Sequence, residues 1–119
     1  MAKWSKAKDE NKKQEWVGDA VALLIARKFL LENFPCESVG TLHRTVSIIT
    51  SDAFFNEVAA KMGLYVVNKT KWNSLACLLE ETMCEKFYES GFDAAYEMML
   101  PFLTKKTGEI IKKLKESRA

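Results

Sequence analysis

The chain has 119 residues, 48% of them hydrophobic and 29% charged, with a formal net charge of +2. That length buries one core and falls short of two ordinary domains. No stretch approaches the roughly 20 uninterrupted apolar residues that cross a bilayer, and the charged start MAKWSKAKDENKK lacks the apolar centre of a secretory signal, so a soluble protein with no membrane partner is expected.

Residues 1–13 carry five lysines against Asp9 and Glu10 and read as a basic N-terminal segment. The first long helix is predicted over Gln14–Asn33, ending at Phe34-Pro35 because the residue before proline leaves helical conformation. Nearly every position from Trp16 to Leu31 is apolar, which marks a helix buried in a bundle or at a subunit interface. Gly18 costs about 1 kcal/mol in mid-helix relative to alanine, and a close helix crossing would explain it. A second helix is predicted over Val39–Ile49. Ser51 then caps a third that holds Asp52 in its first turn and stops at Met62-Gly63. Tyr65–Trp72 reads as a loop. A fourth helix, Asn73–Glu89, ends at Ser90-Gly91. A fifth, Phe92–Met99, is expected to bend or break at Pro101, followed by a short basic helix over Thr107–Glu116. With no strand alternation, the reading is an all-α bundle over 14–103 with a basic helix or tail over 104–119. The body, 14–103, has a net charge of −5 and the two ends +3 and +4. Basic ends can hold phosphates beside a carboxylate-rich centre, or simply solvate the protein.

Three cysteines, Cys36, Cys77 and Cys84, and a single histidine, His43, give neither a disulfide framework nor zinc-site spacing. Reduced thiols point to a cytoplasmic or organellar matrix setting. Any metal site should therefore be built from carboxylates. Asp19 lies one turn after Glu15 and one before Ala22 and Leu23. Glu80 has Ala76 and Cys77 behind it and Met83 and Cys84 ahead. Both sit where the helical pattern calls for apolar side chains, so both are expected to be at least partly buried. Glu81 and Glu85 read instead as a solvent-facing row. A buried carboxylate must meet a cation, accept hydrogen bonds or take a proton. If the two helices pack, Glu15, Asp19 and Glu80 can converge on Mg2+ or Mn2+. The alternative is a rim pair plus a glutamate matched by a distant lysine. The methionines, together with Phe54, Phe55, Phe87 and Cys84, read as packing residues.

The segment Glu15-Trp16-Val17-Gly18-Asp19-Ala20-Val21 resembles the ribonuclease III signature, whose usual form is Glu-x-Leu-Glu-Phe-Leu-Gly-Asp-Ala-Val. The resemblance continues through Leu31–Pro35, Gly40–Arg44, Ser51–Leu64, Leu75–Gly91 and Phe92–Ala95, covering about 12–103. It implies a dimeric helical domain that cuts double-stranded RNA with a divalent metal. Glu15 and Asp19 fall on the metal-site acids of the signature helix, and Glu80 on the glutamate of the second acidic helix, which makes Asp19 and Glu80 the implied catalytic pair. Two positions depart: Cys77 stands where the family usually has aspartate, and Lys12 where it has an outer glutamate. They favour a second reading, a catalytically silent relative that binds RNA or assembles within an RNA-processing or ribosomal complex with a different partner chain. The small Mini-III branch, which lacks a separate RNA-binding domain, is similar in size and equally relaxed at such positions. Trp16 falls on the aromatic position that enters a socket on the partner subunit of a homodimer. Arg44, Lys69 and Lys71 are candidate RNA contacts, as is His43.

Overall fold

The computed structural model describes residues 7–66 and 74–117, with side chains from residue 12 onward. The described residues form five helices and no strand: α1 (Ala7–Asn33), α2 (Val39–Ile49), α3 (Asp52–Lys61), α4 (Leu75–Ser90) and α5 (Phe92–Glu116). None of the helices is long and apolar enough to cross a membrane.

Local chemistry sets the ends of these helices. Ser38, Ser51 and Ser74 each take the N-cap position, and their hydroxyls accept from the backbone N–H of Thr41, Phe54 and Cys77, satisfying donors that a helix start leaves without partners. Gly63 follows the end of α3 at φ 83°, and Gly91, at φ 88°, closes α4 and opens α5. Both lie in the left-handed region that glycine enters without steric cost. The end of α1, both ends of α2, the start of α3, the two glycine stops and the start of α5 stand as read.

The core is centred on α1 and α4, which share the most extensive interface, with α3 and α5 packed against α4 and α2 against α5. Val21, Ala22, Ile25, Ala26, Phe29 and Leu30 supply the inner face of α1, while Ala76, Leu79, Met83 and Cys84 supply that of α4. Phe54, Phe55 and Met99 are buried as expected, with Phe87, Met62 and Met98 packed at the margin. The apolarity of α1 does not reflect burial on all sides. Trp16 is 78% exposed, Leu24 55% and Leu31 65%, so one flank of the helix is bare within the single chain.

Two expectations about the ends are corrected. α1 begins at Ala7, inside the segment read as a basic extension. α5 runs unbroken through Pro101 to Glu116, and the predicted short basic helix is its second half. Pro101 deprives the Glu97 carbonyl of its intrahelical donor, but both residues are exposed and solvent can serve that oxygen. An interior proline costs about 3 kcal/mol. Burying Met99, Leu103 and Ile111 on the continuous face is worth about 1.5–3 kcal/mol for each side chain, so continuity wins. Nor is that second half a free basic tail. Lys106 pairs with Glu57 at 2.9 Å and Lys115 with Glu37 at 3.2 Å.

The crossing of α1 over α4 is tightest at Gly18. A methyl group there would overlap the Glu80 carbonyl oxygen and lie 2.6 Å from its carbon. This is the close crossing that a mid-helix glycine implied. In Gly18→Ala, a helix-propensity gain of about 1 kcal/mol opposes a clash with backbone that cannot swing aside. Overpacking of this kind typically costs about 1–3 kcal/mol, and two helices must separate to relieve it. The variant should be less stable than the parent in urea denaturation, where a naive propensity argument expects a gain.

Candidate metal centre

Glu15 and Asp19 stand one turn apart on α1, and Cys77, Glu80 and Glu81 lie within one turn of α4. The Gly18 contact fixes the level at which the two sets meet. One carboxylate oxygen each from Glu15 and Glu80 and the Cys77 sulfur all lie within 4.8 Å of one another, and all three residues are half-buried. The Cys77 thiol thus faces Glu15, and Asp19 lies near enough to Glu80 for its charge to act on it.

Asp19 itself is exposed, contrary to the expectation of burial. It sits one residue round the helix from Gly18, at the rim of the α1–α4 seam, and Ala22 beyond it turns inward. It therefore reaches Glu80 from the solvent side and stands outside the close triad. Glu81, expected in a solvent row with Glu85, is also half-buried, beside Glu15. The structure further adds sulfur to a centre expected to be purely carboxylate.

The electrostatics follow from crowding. Burial first, then the like charges of Asp19, Glu15 and Asp52, push Glu80 up from the ordinary 4.5 to about 7. Burial, then Glu15 and Glu85, push Glu81 to about 7 as well. Burial also raises the Cys77 thiol, the Ser74 hydroxyl opposing it and Glu15 adding to it. The groups acting most strongly on Glu80 are thus acids, and a divalent cation is the natural counter-charge for such a cluster.

Lys12, one turn before Glu15 on α1, and Arg44 on α2 are exposed, and Lys69 and Lys71 lie outside the described residues. His43 lines an apolar groove of about 220 Å³ with Arg27, Leu30, Leu31, Val39, Leu42 and Val46. Asp52 and Glu81 were missed as members of the acid cluster. Asp52 reads from sequence as a first-turn charge, and only the tertiary packing of α3 against α4 brings it to bear on Glu80. Glu81 could have been found from its place one turn after Cys77.

An all-helical domain with an acid cluster between its two central helices is the class these features define. The family model of the Ribonuclease III domain matches residues 12–94, and the chain belongs to that family. It is 31% identical over 104 residues to a putative protein of Paramecium bursaria Chlorella virus 1, spanning 78% of this chain and 38% of that one. It is 28% identical over 107 residues to Ribonuclease 3 of Leptospira interrogans, spanning 81% of this chain and 43% of that one. The chain thus spans less than half the length of these curated relatives. The nuclease domain of Ribonuclease III from Campylobacter jejuni has the same fold, with a TM-score of 0.68 and 23% identity over 80% of this chain and 74% of that one.

The crowded acids make stability depend on pH. Because Glu80 and Glu81 hold their protons to about pH 7 when folded and release them near 4.5 when unfolded, the folded state binds more protons between those values. Their contribution is full below about pH 4.5 and is lost as pH rises through about 7. Metal-free protein should lose thermal stability across that window, and Glu80→Gln should flatten the slope. A parent whose midpoint rises steadily over the same range would contradict the burial of these acids.

Proposed function

We propose that this chain is a metal-dependent endoribonuclease that cuts double-stranded RNA, working as a homodimer. The observation that carries this is the convergence of Glu15, Asp19 and Glu80 at the α1–α4 crossing, in a chain of the Ribonuclease III domain family. The donor set fits a divalent cation: oxygens from two half-buried carboxylates stand close enough to share one ion, and mutual repulsion favours its arrival. When bound, such an ion supplies an activated water and neutralises charge developing on a phosphodiester. Glu15 and Glu80 would hold it, and Asp19, beside Glu80 on the solvent side, would orient that ligand and face the incoming RNA. The products expected of this chemistry are a 5′-phosphate and a 3′-hydroxyl. The free thiols are in keeping with a reducing compartment, cytoplasmic or organellar.

The test is cleavage of a labelled long RNA duplex with a divalent metal. The metal's stabilisation of transition-state charge is worth several kcal/mol, and each 1.4 kcal/mol is about tenfold in rate. Glu80→Gln, nearly isosteric, should accordingly cut on the order of a thousandfold more slowly while remaining folded. A specific observation favours a second reading: Cys77 removes one carboxylate from the centre. A parent inert with every divalent metal tried, whose Cys77→Asp variant cuts, is a silenced relative whose role lies in RNA binding or assembly.

The proposed dimer surface is the bare flank of α1. Trp16, Leu24 and Leu31 lie within one arc of the helix, which Arg27 shares, and Val39 beside it is 82% exposed, an exposed apolar flank of the kind that subunits cover. In this proposal Trp16 enters the partner's groove beside Leu31 and Val39. A buried tryptophan anchor is commonly worth about 2 kcal/mol or more, roughly thirtyfold in affinity. Sedimentation should show a dimer for the parent and a correspondingly raised dissociation constant for Trp16→Ala. A monomeric parent at high concentration would remove this part of the proposal.

A further inference from the structure

The three ligand atoms that approach most closely are not of one kind. Two are carboxylate oxygens, from Glu15 and Glu80, and the third is the Cys77 sulfur. Mg2+ demands oxygen ligands in a near-ideal octahedron and binds thiolates poorly. Co2+ and Zn2+ accept sulfur and carboxylate together, and around Zn2+, with bonds of about 2.0–2.3 Å, ligand atoms stand roughly 3.5 Å apart. The present spread of up to 4.8 Å exceeds that by about 1 Å, a distance that small side-chain rotations close in half-buried residues. Three protein ligands also leave a fourth position open, as catalytic sites of such ions do.

The placement of Cys77 sets its sulfur among carboxylates. It lies in the first turn of α4, where its backbone N–H donates to the Ser74 hydroxyl, and its sulfur stands within 4.8 Å of both a Glu15 and a Glu80 oxygen. Asp19, by contrast, lies beside Glu80 on the solvent side and is placed to orient a ligand.

We propose that this centre takes a thiophilic first-row divalent cation of the Co2+ or Zn2+ kind, with Cys77 as its sulfur ligand beside Glu15 and Glu80, and that it discriminates against Mg2+. This rests on the reading of the α1–α4 crossing as a metal centre and specifies its cofactor class. The substitution that weakens the case for a Mg2+ enzyme thereby becomes the determinant of a different metal preference.

The probe is Co2+ itself, titrated into the purified full chain under reducing, metal-free conditions and followed by the near-ultraviolet thiolate-to-cobalt charge-transfer band. The band should saturate at one equivalent, yield to Zn2+ and resist a large excess of Mg2+. It should persist in Cys36→Ser and vanish in Cys77→Ser. That variant should also bind Co2+ about tenfold more weakly or worse, since even residues that only support a metal ligand alter affinity on that scale. Cys77→Asp, which restores an oxygen ligand, should lack the band and let Mg2+ compete. Co2+ binding without the band, a band unchanged by Cys77→Ser, or displacement of Co2+ by equimolar Mg2+ would each overturn the proposal. RNA cleavage assayed in parallel separates the two readings. Efficient cutting with Mg2+ and no thiolate band defeats the metal assignment alone, whereas failure to bind any divalent ion defeats the nuclease reading with it.

Discussion

The backbone contact between Gly18 and Glu80 is the constraint on which the rest of the structure depends. A helix pair usually meets through interdigitated side chains at 8–10 Å between axes. Here one side chain is absent and the two backbones touch, so the acids flanking Gly18 are carried to the acids and thiol of α4. A glycine that weakens its own helix is retained at the point where any larger residue would part the two halves of the centre. Glu15 below it and Asp19 beside it inherit their distances from that single approach.

Proximity of this kind is costly without a counter-ion. Glu80 and Glu81 are half-buried among like charges, and in the metal-free protein they relieve the repulsion by holding protons to about neutral pH. In the proposed metal centre, proton and metal would compete for the same oxygens, coupling folding to whichever is bound. The rigid part of the molecule, the packed faces of α1, α4 and α5, is what sustains this unfavourable arrangement.

Helix existence and the points where helices stop were legible from the chain, because serine caps and left-handed glycines are local chemistry. Pro101 misled for the converse reason: its effect is local and known, but the buried stripe that overrides it is a tertiary quantity. Burial of acids was harder still. Asp19 and Glu81 were assigned from their neighbours on a helical face, and each fell the other way, since an exposed rim and a half-buried seam differ by one residue's rotation. Asp52 carried no signal at all, for its influence on Glu80 exists only once α3 is packed against α4. Gly18 was the informative exception, a residue whose local cost announced a long-range contact.

The start of α4 is secured twice. Ser74 caps it from within, and the Ala76 backbone N–H donates across to Asn56 Oδ1 on α3 at 2.8 Å. The turn bearing Cys77 is thus anchored to a neighbouring helix and does not rely on the polypeptide that leads into it. A change in the chain ahead of Ser74 can therefore leave Cys77, Glu80 and Glu81 where they are, because the fold holds this turn from the side as well as from its own sequence.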